Sequence, residues 1–266
     1  MIILRLAGGL GNQIAQLGAA LLLSERVKSK TIIIDDSGLA SYKAKHVNQL
    51  VNYFDFTRIN INVVFKRLLI TKSRLPRLLP FNLINYPLIS DKNFQTALKG
   101  ANKYLWMDDY FGACLTQKNL NREIEILKSI FIQKNLSKQE GCVIHIRGGD
   151  YVEFGGGKVA STTFYKNAIS KMQKNYGIKK FYVVTDDKEY SSSILKGVDF
   201  SFVGGGMKED FYLIGQFKFR ILSSSSFASW ASALGINSKN GAVIIPKEWM
   251  PGIERNLHLP NEIDIK

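Results

Sequence analysis

Apolar and polar positions along this chain fall into two similar rhythms, one in each half. Met1-Ile2-Ile3-Leu4-Arg5-Leu6 predicts a buried strand, which Ala7-Gly8-Gly9-Leu10-Gly11-Asn12-Gln13 breaks as a tight loop. Residues 14–27 then set Ile14, Leu17, Ala20, Leu21 and Val27 on one helical stripe, and Thr31-Ile32-Ile33-Ile34 predicts the next strand, ending in Asp35 and Asp36. A further helix is expected over 121–134, with Ile124, Leu127 and Phe131 turned inward. The second rhythm begins near residue 140. Cys142-Val143-Ile144-His145-Ile146 reads as a strand that runs into Arg147-Gly148-Gly149-Asp150, then a glycine loop through 155–157 and a helix over about 162–176. Phe181–Thr185 is a strand ending in Asp186 and Asp187, and Arg220–Leu222 is a short strand ending in Ser223–Ser226. Phe227–Leu234 forms a helix capped by one of those serines and stopped by Gly235, and Ala242–Ile245 is a last strand closed by Pro246.

Strands alternating with helices in both halves predict an α/β protein of two Rossmann-like, parallel-sheet domains with a cleft between them. The expected domains are residues 1–138 and 139–266, with the tail after about 247 packing back on the first. A chain of 266 residues, 45% of them hydrophobic, has material for two such cores. No apolar run reaches the 18 residues of a membrane span, and the first residues enter a strand without a signal-type core, so a cytoplasmic setting is expected. Cys114 and Cys142 are too few for a disulfide framework, which fits the same setting.

Charge narrows the partners. With 36 basic and 22 acidic residues the net charge is +14, which favours an anionic partner: nucleic acid, an acidic membrane or a phosphorylated substrate. The cations are dispersed and not interleaved with aromatics as in nucleic-acid-binding motifs, so nucleic acid is set aside. Residues 65–80 gather five cations among aliphatics, either a helix with a solvated basic face or a contact for an anionic membrane surface.

The chemistry collects at strand ends, where ligands of open α/β sheets bind. Gly9-Leu10-Gly11 begins a dinucleotide fingerprint, but Ile14 occupies the position of its last glycine. The Gly155–Lys158 run is no phosphate-binding loop, because Val159 replaces the Ser or Thr that holds magnesium. Arg147 offers a planar fork for a diphosphate, and Ser225, Ser226 and Phe227 add hydroxyls and N–H groups at a helix start. A carboxylate from Asp186 or Asp187 suits the paired N–H donors of guanine. Neither a His/Cys cluster nor an Asp-x-Asp triplet accompanies these loops, so Arg147 and backbone dipoles are expected to neutralise the phosphates without a metal. The plainer reading of the middle segment is a strand-end ion pair between Arg147 and Asp150 with a satisfied histidine behind it.

Four segments, in order, resemble the bacterial α-1,2-fucosyltransferases of glycosyltransferase family 11: Gly8–Gln13, His145–Val152, Tyr182–Asp187 and Ser225–Leu234. The resemblance implies a GT-B-type fold, an N-terminal acceptor-side domain and a C-terminal domain holding GDP-fucose. It implies inverting transfer of fucose to the 2-hydroxyl of a terminal β-galactoside, in a lipopolysaccharide O-antigen type of glycan assembled on lipid at the inner membrane face. Arg147 matches the arginine that binds the donor β-phosphate, His145 and one of Asp186 or Asp187 match guanine-side residues, and Asn12 matches a position facing the sugar-pyrophosphate. The family commonly carries a second arginine where this chain has Gly148, leaving Arg5, Lys158 or Lys247 as candidate substitutes. Ser229 stands where a first tryptophan of a pair is usual. For proton removal from the acceptor, Asp150 is the first candidate and Glu153 the second; Asp150 as a structural partner of Arg147 is the competing assignment. A related transferase with another nucleotide sugar is the alternative function.

Overall fold

The computed structural model describes all residues except 42–45, 69–86, 101–103, 112–114, 134–137, 154–159, 237–239, 251 and 266, and only the backbone of Ser41, Asp150 and Glu153. The chain divides into two compact units, Met1–Ile132 and Gln133–Lys266. The break precedes the expected boundary at 138. Phe131 bridges antiparallel to Phe54 and meets its ring at a tilt, 5.9 Å between centroids, which ties the end of the preceding helix into the first unit.

In the first unit, strands β1 (Ile2–Arg5), β2 (Thr31–Asp35), β3 (Asn62–Phe65), β4 (Leu88–Ile89) and β5 (Leu105–Met107) form one sheet in the order β3-β2-β1-β5-β4. Every pairing is parallel, as the alternating rhythm requires. The helix Leu10–Arg26 is buried on nearly all sides, because the sheet lies on one flank and the helix Gln117–Ile130 on another. That second helix starts four residues before the expected 121 and ends by 130. The Thr116 hydroxyl accepts the Asn119 N–H at 3.3 Å and fixes the earlier start, while Phe131 turns out into extended backbone. The two helices meet closely at Gly18, where a methyl group would come within 2.1 Å of Glu123 Oε1. Burial in this helix seam raises the Glu123 carboxyl well above the ordinary carboxylate range.

The second unit holds β6 (Gln139–Ile146), β7 (Phe181–Thr185), β8 (Phe200–Phe202), β9 (Phe217–Ile221) and β10 (Ala242–Pro246). A hairpin of β11 (Glu248–Met250) and β12 (Ile253–Glu254) and a final strand, β13 (Glu262–Ile265), follow. The order β13-β10-β9-β6-β7-β8, all parallel, is that of a Rossmann sheet: the chain winds outward from β6 through β8, then returns to β9 on β6's other side. The carboxyl ends of β6 and β9 therefore flank the topological switch point. The helix Thr162–Tyr176 lies where its pattern predicts, with Ser161 as cap and Gly177, at φ 65°, as stop.

Residues 262–265 of the tail extend the second unit's own sheet, with Val243 opposite Glu262 and Pro246 opposite Ile265. Ile263 and Ile265 alternate with acidic residues and pack on the apolar cluster around Ile244, which is what draws the segment there.

Candidate active site

The carboxyl end of β6 carries His145 inward and Arg147 outward. His145 is 5% exposed, its Nδ1 lies 2.8 Å from the Ser223 hydroxyl beyond β9, and the Tyr165 hydroxyl donates to its carbonyl at 3.4 Å. Burial, and secondarily the nearby Arg147 cation, pulls the imidazole down to about 3, so the ring is neutral at physiological pH. It faces the Phe227 ring at 6.1 Å, and Phe227 in turn meets Phe211 edge-on at 5.4 Å. Through Ser223 and Phe227 the end of β6 is thus joined to the start of the helix Ser226–Leu234.

Arg147 is a third exposed. Its Nη1 pairs with Asp186 Oδ2, and its guanidinium lies over the Tyr151 ring at 5.2 Å. Asp186 Oδ1 accepts the Gly148 N–H at 2.8 Å, Asp187 Oδ2 accepts that of Gly149 at 3.4 Å, and Asp187 Oδ1 caps the helix Lys188–Ile194 through the Tyr190 N–H at 2.9 Å. The acidic pair at the end of β7 therefore does a task that the sequence did not suggest: it holds and aims the Arg147 loop. Ile146 lies beside Thr185 in the parallel ladder, so the two strands deliver both loops to one place. Gly148 is required by this packing, since a side chain there would begin 2.5 Å from Asp187 Cβ. A second arginine at 148 has no room. Arg5 lies 3.6 Å from Asp108 and Lys247 pairs with Glu254 at 2.7 Å. Lys158 lies outside the described residues.

Ser223, Ser224 and Ser225 are buried. The Ser224 hydroxyl donates to the Glu248 carbonyl at 3.0 Å and the Ser225 N–H to the Ser223 carbonyl at 2.9 Å. Ser225 stands at the cap position in extended backbone, yet its side chain makes no capping bond, which leaves the helix start uncapped by its own hydroxyl. The positive end of that helix and the Arg147 guanidinium are what this region offers to an anion. Ser229 Oγ is buried with no partner among the described residues.

The Glycosyl transferase family 11 profile matches residues 1–255. The chain belongs to that family. Over 96% of its length it is 26% identical to an Escherichia coli alpha-1,2-colitosyltransferase, covering 94% of that protein. Over 93% it is 21% identical to the Escherichia coli O-antigen biosynthesis glycosyltransferase WbnK, again covering 94% of the relative. The fold, of the GT-B type, is shared with the α-1,6-fucosyltransferase NodZ of Bradyrhizobium, whose crystals were soaked with GDP-fucose: TM-score 0.52, 14% identity, 88% of this chain and 92% of NodZ.

In this glycosyltransferase, His145, Arg147, Asp186 and Asp187 come together, with Phe227 and the serine loop joined to them through His145. Asn12 belongs to the first unit's own switch point, where the left-handed Gly8 (φ 73°) folds against it and a methyl group on Gly8 would touch Asn12 Nδ2 at 2.5 Å. Asp150 and Glu153 lie in one helical turn, started by the Tyr151 N–H donating to Gly148 at 3.0 Å; their side chains are outside the described set. Sequence reasoning named the segments that hold Ser223 and Tyr151 but not the roles of these two residues, and it missed Gln16. Gln16 is fully buried, accepts the Ala7 N–H at 3.0 Å and donates to the Asp109 carbonyl at 3.1 Å, so it ties the ends of β1 and β5 together. Its signal was available: Gln13 and Gln16 lie one turn apart on an otherwise apolar helix face.

A neutral buried His145 predicts a pH effect on stability. The unfolded histidine takes a proton near 6.5 and the folded one near 3, so the unfolded chain binds more protons between these values and stability falls as pH drops through that window. At pH 5 this group alone is expected to remove about 2 kcal/mol relative to pH 7.5. Urea unfolding at the two pH values, for the wild type and His145→Gln, checks it: the variant is expected to lose that much less on acidification.

Proposed function

We propose that this family 11 enzyme transfers fucose from GDP-fucose, with inversion and without a metal, to the 2-hydroxyl of a terminal β-galactoside in a bacterial surface glycan of the O-antigen type. The observation that carries the reading is Arg147, aimed by Asp186 and Gly148 at the end of β6 and joined through His145 to the start of the helix Ser226–Leu234. The acceptor oxygen forms its bond to the anomeric carbon as the bond from that carbon to the β-phosphate oxygen breaks, and GDP leaves with the electron pair. Arg147 and the N–H groups around Ser225, Ser226 and Phe227 stabilise the charge that develops on the leaving diphosphate. His145 lies on the guanine side. Asp186 or Asp187 supplies a carboxylate there, since each oxygen that holds the loop has a second lone pair to offer. Asn12 serves the sugar-pyrophosphate from the first unit. Asp150, with Glu153 second, takes the acceptor proton.

The relatives' names support the reading, and one of them supports a variant of it. Colitose is fucose without its 3-hydroxyl, so a colitose donor of the same nucleotide is the second reading. Purified enzyme, a β-galactoside and a panel of GDP- and UDP-sugars decide, with nucleotide release as the readout and the product linkage read by NMR. Release of GDP from GDP-fucose with an α-1,2 product is expected. Turnover of the colitose donor alone shifts the reading to the second; a lack of GDP binding removes both.

The anionic partner beyond the donor is proposed to be the inner face of the inner membrane. Lys66 and Arg67 are exposed at the end of edge strand β3; the rest of the basic stretch lies outside the described residues. Among the described residues no helix is long and apolar enough to cross a membrane, so the attachment proposed is peripheral. Flotation with phosphatidylglycerol vesicles is expected to carry the protein, and to fail at high salt. Equal flotation with neutral vesicles overturns the electrostatic attachment.

A further inference from the structure

Arg220, on β9, is a charged side chain only 2% exposed, and no carboxylate meets it among the described residues. Its bonds run to carbonyls and one hydroxyl. Nη1 donates to the Ser232 carbonyl at 3.0 Å and the Ser232 hydroxyl at 2.9 Å; Nη2 donates to the carbonyls of Gly215 at 3.0 Å and Ile236 at 2.8 Å. Burial lowers its pKa to about 10, which still leaves the guanidinium charged at neutral pH. A buried cation without a counter-ion is expensive unless something of negative character compensates it. Here that something is two helix carboxyl ends. Gly215 is in the last turn of the helix Met207–Gln216, Ser232 is in the last turn of the helix Ser226–Leu234, and Ile236 follows that helix's cap residue, Gly235. Both ends carry carbonyls without a partner inside their own helix and the negative pole of the helix.

What lies at the other end of the second helix gives the clamp its meaning. Its amino end is Ser225–Phe227, and Phe227 faces both Phe211 of the first helix and His145 of β6. Three residues beyond Arg220 the same strand delivers Ser223 to His145. Arg220 therefore fixes one end of a nine-residue rod whose opposite end borders the anion site. We propose that Arg220 is a positioning residue for the donor: by gripping the carboxyl ends of both helices it sets the place and polarity of the serine end that receives the diphosphate. This rests on the donor reading given above and deepens it.

The test is GDP affinity by calorimetry, with donor and acceptor KM, in the wild type, Arg220→Lys, Ser232→Ala and Met172→Ala. Met172 is a fully buried core residue of the same unit, is not among Arg220's hydrogen-bond partners, and serves as a control for lost stability alone. A lysine keeps the charge but, as a point donor, cannot span four acceptors on two helices. Arg220→Lys is expected to weaken GDP binding and raise donor KM about tenfold with acceptor KM unchanged, and Ser232→Ala to do so about threefold. Met172→Ala is expected to lower Tm and leave GDP affinity as it was. The proposal is overturned if Arg220→Lys loses stability yet binds GDP like Met172→Ala. Should the lysine variant not fold, Ser232→Ala decides by the same comparison. Absence of GDP binding in the wild type sinks the donor reading, and this inference with it; intact wild-type binding with unmoved variants sinks the inference alone.

Discussion

Arg147→Ala is expected to lower kcat/KM for the donor by about a thousandfold, the scale of removing a main donor to a developing oxyanion. The effect should be far larger on turnover than on the fold. Arg147 is a third exposed, and an exposed pair such as Arg147 and Asp186 contributes at most about 1 kcal/mol to stability. The Gly148 N–H continues to hold Asp186 in the variant, so the loop keeps one of its ties. Because the leaving diphosphate gains charge only as the anomeric bond breaks, most of the loss belongs in kcat. Asp186→Asn separates aiming from charge: it keeps an acceptor for Gly148 and removes the carboxylate charge beside Arg147, and about a tenfold loss is expected. Single-turnover rates with GDP-fucose, alongside thermal melts, check both variants. Activity of Arg147→Ala within tenfold of the wild type, at an unchanged Tm, ends the assignment of this side chain to the leaving group.

How much of this was legible in the sequence differs by element, for physical reasons. The helix Thr162–Tyr176 and the strand Phe181–Thr185 stand where the pattern puts them, since a serine cap, a left-handed glycine stop and an unbroken apolar run are local signals. The helix Met207–Gln216 begins at Gly206 without a side-chain cap, and β8 spans only Phe200–Phe202, so neither announced itself. β13 reads Glu-Ile-Asp-Ile and becomes a strand because β10 offers it an edge, a tertiary cause that no window on the tail contains. At the site the types were legible and the partnerships were not. His145, Arg147 and the acidic pair were found from their strand ends, but the parallel register that brings Ile146 beside Thr185 is what turns Asp186 and Asp187 toward the Arg147 loop. Gly148 likewise read as the loss of a cation. In the fold it is the position whose lack of a side chain lets Asp187 approach.

The other large effect is expected far from the exposed chemistry, at Gly235. Gly→Ala at a position whose φ is ordinary normally stabilises by about 0.4–1 kcal/mol, through the unfolded chain. Gly235 has φ −72°, so backbone strain gives no reason against alanine there. Space does. A methyl group would stand 2.3 Å from Gly215 Cα, 2.5 Å from its carbonyl oxygen and 2.8 Å from its carbonyl carbon, all backbone atoms that no rotamer change can move. At Gly215 the same methyl group meets Gly235 Cα at 2.9 Å and the Ala231 carbonyl at 3.1 Å, a lesser intrusion. The steric term should outweigh the entropic one, with Gly235→Ala losing about 3 kcal/mol and Gly215→Ala about 1 kcal/mol in urea unfolding. Separation of these helix ends also pulls the Ile236 N–H from the Gly215 carbonyl, now at 2.8 Å, and spreads the carbonyls that Arg220 spans. GDP affinity should therefore fall in the same order as stability. A Gly235→Ala enzyme as stable as the wild type would mean that the two helices can part without consequence, and that the contact holding the serine end in place lies elsewhere.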